Sequence, residues 1–153
     1  MKKRTKFILA IVAGAAILIQ LIPSGRPSNN PVSGKDIASS VEVPASVYTL
    51  LKNACFDCHS QSSRFPWYSY VAPVSWLVAS DINKAREQLD FSYWGDLSLK
   101  DKIKMLDDIS EEVSEKEMPL ESYKLMHPSA RLTDEECEII VEWTESVSEK
   151  LME

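Results

Sequence analysis

The sequence predicts an all-α domain behind an N-terminal membrane helix. Three observations predict it. Apolar residues recur at helical intervals between positions 44 and 151, two of those periodic stretches open on side-chain caps, and no alternating run of strand length survives beside them. At 153 residues and 44% hydrophobic content, the chain is long enough for one compact domain with a core. It carries no internal repeat and no low-complexity tract.

The first element is the apolar run. Lys2, Lys3, Arg4 and Lys6 precede FILAIVAGAAILIQLI, residues 7 to 22, which holds no charge and one strongly polar residue, Gln20. At ~1.5 Å per residue the run spans roughly 24 Å against a hydrocarbon core of ~30 Å, between a signal-peptide core and a full span. Ile22, Pro23, Ser24, Gly25 and Arg26 follow without an A-x-A cleavage pattern. An uncleaved anchor is therefore favoured over a cleaved signal, and either over a buried soluble helix. In both favoured cases the basic flank stays in the cytoplasm and the remainder is exported.

Residues 23–43, rich in Pro, Ser, Gly and Asn, have no helical period and are expected to be a flexible tether. Without the basic flank, 13 Lys+Arg remain against 23 Asp+Glu, a net charge near −10. That sign argues against nucleic acid as a partner, because phosphate binding requires cations.

Residues 44–153 form the domain. Val47, Leu50, Leu51, Ala54, Cys55 and Cys58 recur helically from Pro44 onward. A second helix is expected from Val74 to Leu89, with Leu77, Val78, Ile82, Ala85 and Leu89 on one face. The third begins at Ser98, whose side chain can cap the first turn, and carries Ile103, Leu106, Ile109 and Val113. Thr133 and Glu136 form a capping-box pattern for the last helix, whose stripe is Cys137, Ile140, Val141, Thr144, Val147 and Leu151.

Cys55, Cys58 and His59 form C-x-x-C-H at the end of the first of these helices. A thioredoxin-like dithiol requires a preceding strand, and none is present. A structural zinc site requires four ligands, and three neighbours plus a distant His127 or Cys137 is not a usual pattern. Haem attachment requires what the motif holds: two thiols one turn apart for the porphyrin vinyl groups, and a histidine for the iron. Cys137 lies in a periodic apolar segment and is read as a small buried hydrophobe.

CFDCHSQSSRFPWYSYVAPVSWLVASDINKAREQLDFSYWG, followed by EEVSEKEMPLESYKLMHPSARLT, resembles a bacterial haem-binding domain family. Its members pair C-x-x-C-H-S with W-Y-x-x-x-A-P-V-S-W and a later M-P-L-x-x-Y-x-x-M-H-P. The likeness covers residues 40 to 148, and Phe65 stands where the family has tryptophan. It implies a cytochrome c-like protein with one covalent haem c and its iron, anchored in the bacterial inner membrane as a single-pass protein, with the haem domain on the periplasmic side.

Other residues are candidates around that group. The aromatic stretch Phe65 to Trp76 reads as ordinary core, or as a haem wall in which Trp67, Tyr68 or Trp76 donates a hydrogen bond to a propionate. Arg64 is the cation nearest the motif and can pair with a propionate. Trp94 and Trp143 read as core or rim. His59 is one axial ligand, and Met118, held before Pro119 on an irregular segment, is the expected second, with His127 and then Met126 as alternatives. An available sixth ligand favours a one-electron carrier, working with unidentified redox proteins, over a catalyst. The alternatives are a haem sensor or peroxidase-like enzyme with a displaceable ligand, and a structural haem domain of a larger membrane complex.

Overall fold

A computed structural model describes residues 3–31 and 34–153. Lys2 of the basic flank and residues 32 and 33 of the expected tether lie outside the described residues. The architecture is all-α, with no strand among the described residues. In chain order it comprises α1 (Lys3–Leu18), the single turn α2 (Ile37–Ser40), α3 (Ala45–Ala54), the single turn α4 (Phe56–His59), α5 (Val74–Gln88), α6 (Leu99–Ser114), α7 (Glu121–Met126) and α8 (Asp134–Met152), with short 3-10 turns between several of them.

α1 and the 3-10 turn after it form a 19-residue apolar helix, Lys3–Leu21, none of whose residues is buried. By length and composition it could cross a membrane. The capped helices begin where their side chains direct. Ser98 Oγ accepts from the Asp101 amide at 3.2 Å, and Thr133 and Glu136 exchange both bonds of a capping box. α6 and α8 make the most extensive helix pair. Leu106, Ile109 and Val113 of α6 meet Cys137, Ile140, Trp143 and Val147 of α8, and Val47 and Leu51 of α3 complete the core with Phe91 and Trp94. Cys137 is thus a buried core residue, and Trp143 donates its indole N–H to the Glu42 carbonyl at 3.1 Å.

Residues 23–43 differ from the free tether that their composition suggests. Asn29 donates to the Ser63 carbonyl at 2.9 Å and accepts from the Ser63 amide at 3.1 Å. Arg86 of α5 donates to the Ser28 carbonyl and to Asn29 Oδ1, Asn83 donates to the Gly25 carbonyl, and Arg26 reaches the Ser69 carbonyl. Further on, Asp36 caps α2, Ile37 is fully buried, and the Gly95 amide donates to the Lys35 carbonyl at 2.7 Å. A Cβ at Gly95 would meet that oxygen at 3.2 Å, so the approach depends on glycine. The segment is a strap fastened to the domain. α5 also departs from expectation, because its buried residues are Ser75, Ala79, Ile82 and Ala85 while Leu77 faces out.

Truncation of a fully buried residue should read the α6–α8 contact directly. Leu106→Ala is expected to lower stability by about 2–5 kcal/mol, and Thr133→Ala by about 1 kcal/mol, in urea denaturation followed by circular dichroism.

Candidate functional site

α3 ends at Ala54, and Cys55 is the hinge to α4. The Cys58 and His59 amides both donate back to the Cys55 carbonyl, at 3.1 and 2.9 Å, which closes the motif into one turn. Cys55, Cys58 and His59 then line a cavity of about 590 Å³ together with Asp81, Lys84, Ala85 and Gln88 of α5, Met105 and Ile109 of α6, and Met118, Pro119, Leu120 and Tyr123. That volume lies within the ~300–1,000 Å³ of cofactor and ligand sites, and the walls are mostly apolar.

The histidine is held in one tautomer. His59 Nδ1 lies 3.1 Å from the Leu89 carbonyl, which can only accept, so Nδ1 carries the proton. Nε2 then keeps its lone pair. Burial holds the imidazole below its ordinary pKa, against the opposing pull of the Leu89 carbonyl. A neutral imidazole anchored through one nitrogen is the form that ligates a metal.

Both cysteines are free and half-buried. Burial, helped by Cys58, pushes the Cys55 thiol up to about 12, and burial with the charges of Asp57 and Asp81 pushes Cys58 up to about 11. Both are therefore protonated at neutral pH, opposite to the lowered thiol of a redox dithiol. Among the described residues, no group of three His, Cys, Asp or Glu side chains is placed to hold a bare metal ion.

Met118 reaches the cavity from the loop after α6. Lys116 adopts a left-handed backbone, φ 63°, a cost of roughly 1–2 kcal/mol for a residue with a Cβ. The Met118 amide donates back to the Glu112 carbonyl at 3.1 Å. Those two features turn the chain and set Met118, followed by the buried Pro119, on the irregular segment that its position before proline suggested.

The other ligand candidates lie elsewhere. His127 is not on the cavity wall; its Nδ1 donates to the Tyr123 carbonyl at 3.1 Å, so Nε2 accepts from the Tyr68 hydroxyl at 3.2 Å, and its ring stacks on Tyr123 at 4.0 Å. Met126 is exposed and also off the cavity. Nor does the structure bring Arg64, Trp67, Tyr68 or Trp76 to the cavity. Arg64 is taken by Asp57, which accepts from its amide at 2.9 Å and its Nε at 3.0 Å. Tyr68 is taken by His127. Trp67 is 73% exposed, and Trp76 Nε1 faces the Ile22 carbonyl at 3.5 Å.

Residues without a sequence-based role hold the site together instead. Tyr123 lines the cavity and donates to Asp57 Oδ2 at 2.7 Å, and burial followed by that bond raises its phenol well above the ordinary range. Lys84 and Lys104 are the cations on the wall. Positions 81, 84, 85 and 88 form one helical stripe of α5, but half of it is charged, so a search for apolar periodicity passes over it.

Two thiols, a free imidazole nitrogen and a thioether around one apolar cavity are a donor set that fits a haem, and in an all-α frame they define the class of haem-binding proteins. A profile of the haem-binding domain family matches residues 14–146, and the chain belongs to that family. The match begins inside α1 and takes in the strap. No curated protein and no solved structure matches the chain.

Removing one hydroxyl tests the support of the site. Tyr123→Phe leaves the ring on His127 but takes a donor from the buried Asp57 carboxylate. It should lower stability by about 1–3 kcal/mol in urea denaturation.

Proposed function

We propose that the protein is an exported, membrane-tethered c-type haem protein that acts as a one-electron carrier. The observation that carries this reading is the single cavity lined by Cys55, Cys58, His59 and Met118, while both ring nitrogens of His127 are engaged outside it. In this reading the Cys55 and Cys58 thiols would hold the porphyrin through thioether bonds to its two vinyl groups. His59, with Nδ1 anchored on the Leu89 carbonyl, would hold the iron through Nε2. Met118 offers its thioether from the loop after α6. Haem held there supplies one-electron exchange between ferric and ferrous iron.

A neutral imidazole and a thioether together favour the ferrous state and a high potential, as a carrier in an oxidising compartment uses. Lys84, in place of Arg64, would be the cation to pair with a propionate, since it stands on the cavity wall, whereas Arg64 is held by Asp57 and Lys104 by Asp108. The basic flank on α1 orients the chain with its N-terminus in the cytoplasm and its domain outside. Covalent attachment at C-x-x-C-H fits that compartment.

Covalency is read by extraction. Protein made in cells with cytochrome c maturation should keep its colour after denaturation and acid-acetone treatment, Cys55→Ala with Cys58→Ala should abolish stable haem retention, and Cys137→Ala should leave the visible spectrum unchanged. Complete extraction of the pigment from the unaltered protein would remove the c-type assignment.

Ligation is read by the weak sulfur-to-iron band at the red end of the ferric spectrum. It should vanish in Met118→Ala and survive in His127→Ala. Loss of the low-spin state only in the His127 variant would transfer the ligand to histidine, and a high-spin unaltered protein that binds carbon monoxide readily would favour the sensor or enzyme reading.

A further inference from the structure

Sixteen consecutive residues, 65–80, FPWYSYVAPVSWLVAS, carry no charge in a domain whose net charge is near −10. Their aromatic content suggests interior, yet much of the stretch is surface. Trp67, Tyr70, Val71, Val74 and Leu77 are all exposed, Trp67 at 73% and Leu77 at 54%. Val74 and Leu77 are three apart, on one face at the start of α5.

This surface is joined to the end of the membrane helix. Gln20 donates to the Ala72 carbonyl at 3.2 Å and accepts from the Ala72 amide at 2.9 Å, a paired amide contact across 52 residues. Trp76 Nε1 faces the Ile22 carbonyl at 3.5 Å. Leu21 and Ile22, themselves exposed, continue the apolar surface of α1 into that of the loop. Beside them the Arg26 guanidinium lies 3.9 Å from the Tyr70 ring centroid and 4.9 Å from that of Phe65. That arrangement is an aromatic girdle with an arginine at its edge, where amphipathic rings and a cation meet the headgroup layer.

We propose that the face formed by Trp67, Tyr70, Val71, Val74 and Leu77 rests on the phospholipid surface around the exit of α1, with Arg26 at the level of the lipid phosphates. The proposal rests on the reading of α1 as a membrane anchor. Lipid is the occupant to which the geometry points, because the face is continuous with the anchor and tied to it by Gln20. An acidic domain can approach anionic headgroups only through an uncharged or cationic face, and this face is uncharged with one cation, Arg26, at its edge. The rings and branched side chains bury apolar area at the interface, while the polar tips of Trp67 and Tyr70 remain in the wet layer.

Photo-crosslinking in the native membrane tests this with the full chain. A benzophenone amino acid is placed, in separate proteins, at Tyr70, at Leu77, at Ile17 in α1 and at Ile139, an exposed position of α8 flanked by Glu138 and Glu142. Retention of haem colour reports that each variant folds. Phospholipid adducts at 70 and 77, with yields comparable to position 17 and none at 139, are the expected result. Lipid adducts at 17 alone would overturn the proposal and leave the anchor standing. Adducts to a second copy of the chain or to another protein at 70 and 77 would overturn it in favour of a protein partner. No lipid adduct at 17 would remove the anchor, and this proposal with it.

Discussion

The carboxylate of Asp57 is the constraint on which the site depends. It lies between the two cysteines, is nearly buried, and accepts from the Arg64 amide, the Arg64 guanidinium and the Tyr123 hydroxyl. Each of these partners lost from the buried carboxylate costs about 1–3 kcal/mol, so the chain after the motif must fold back on it and α7 must dock against it. His59 enters the cavity from the motif side and Met118 from the α6–α7 side. Asp57 binds those two walls together. The ion pair itself adds little attraction, because Arg64 is more than half exposed and its charge is screened. Its importance is geometric: Arg64 is removed from service as a ligand to the cofactor and becomes part of the frame.

A second set of bonds extends the frame to the N-terminal strap. Arg86 of α5 donates to Ser28, Asn29, Gln61 and Ser63, which gathers the strap, the loop after the motif and α5 around one guanidinium. α5 is then fixed from both sides, by α4 through packing and by the strap through hydrogen bonds.

What the sequence makes legible follows from periodicity and capping. The long helices of the domain, the caps at Ser98 and Thr133, the core position of Cys137 and the seating of the C-x-x-C-H turn on a helix end all rest on spacings within a few residues, where helix geometry leaves little choice. The irregular segment that carries Met118 is legible for a related reason, since proline restricts the residue before it. The rest depends on distance in sequence. The strap reads as a tether because its bonds come from single polar side chains more than thirty positions away, which composition does not register. Tyr123 sits on a helix of six residues, too short to show a period. The aromatic loop shows why hydrophobicity alone does not give direction: Trp67 and Leu77 are as apolar as Trp94 and Leu106, yet the first pair faces out and the second is fully buried.

α5 also acts as a ruler between the two surfaces of the domain. Val74, Leu77, Asp81, Lys84 and Gln88 follow one another at intervals of three and four, so they share a single face of the helix. Its first two members are exposed and apolar, and its last three line the cavity. The change falls between Leu77 and Asp81, one turn, or about 6 Å along the axis. From Leu77 to Lys84 the rise is about 10 Å. One rigid helix therefore sets both the polarity boundary and the distance from the uncharged face to the cavity wall. Because α5 is held at Arg86 and through its contact with α4, that distance is a property of the fold and does not vary with the reach of a flexible linker. A free tether of twenty residues would let the domain sample many heights and orientations. Fastening the strap to α5 removes that freedom and presents the cavity in one attitude relative to α1.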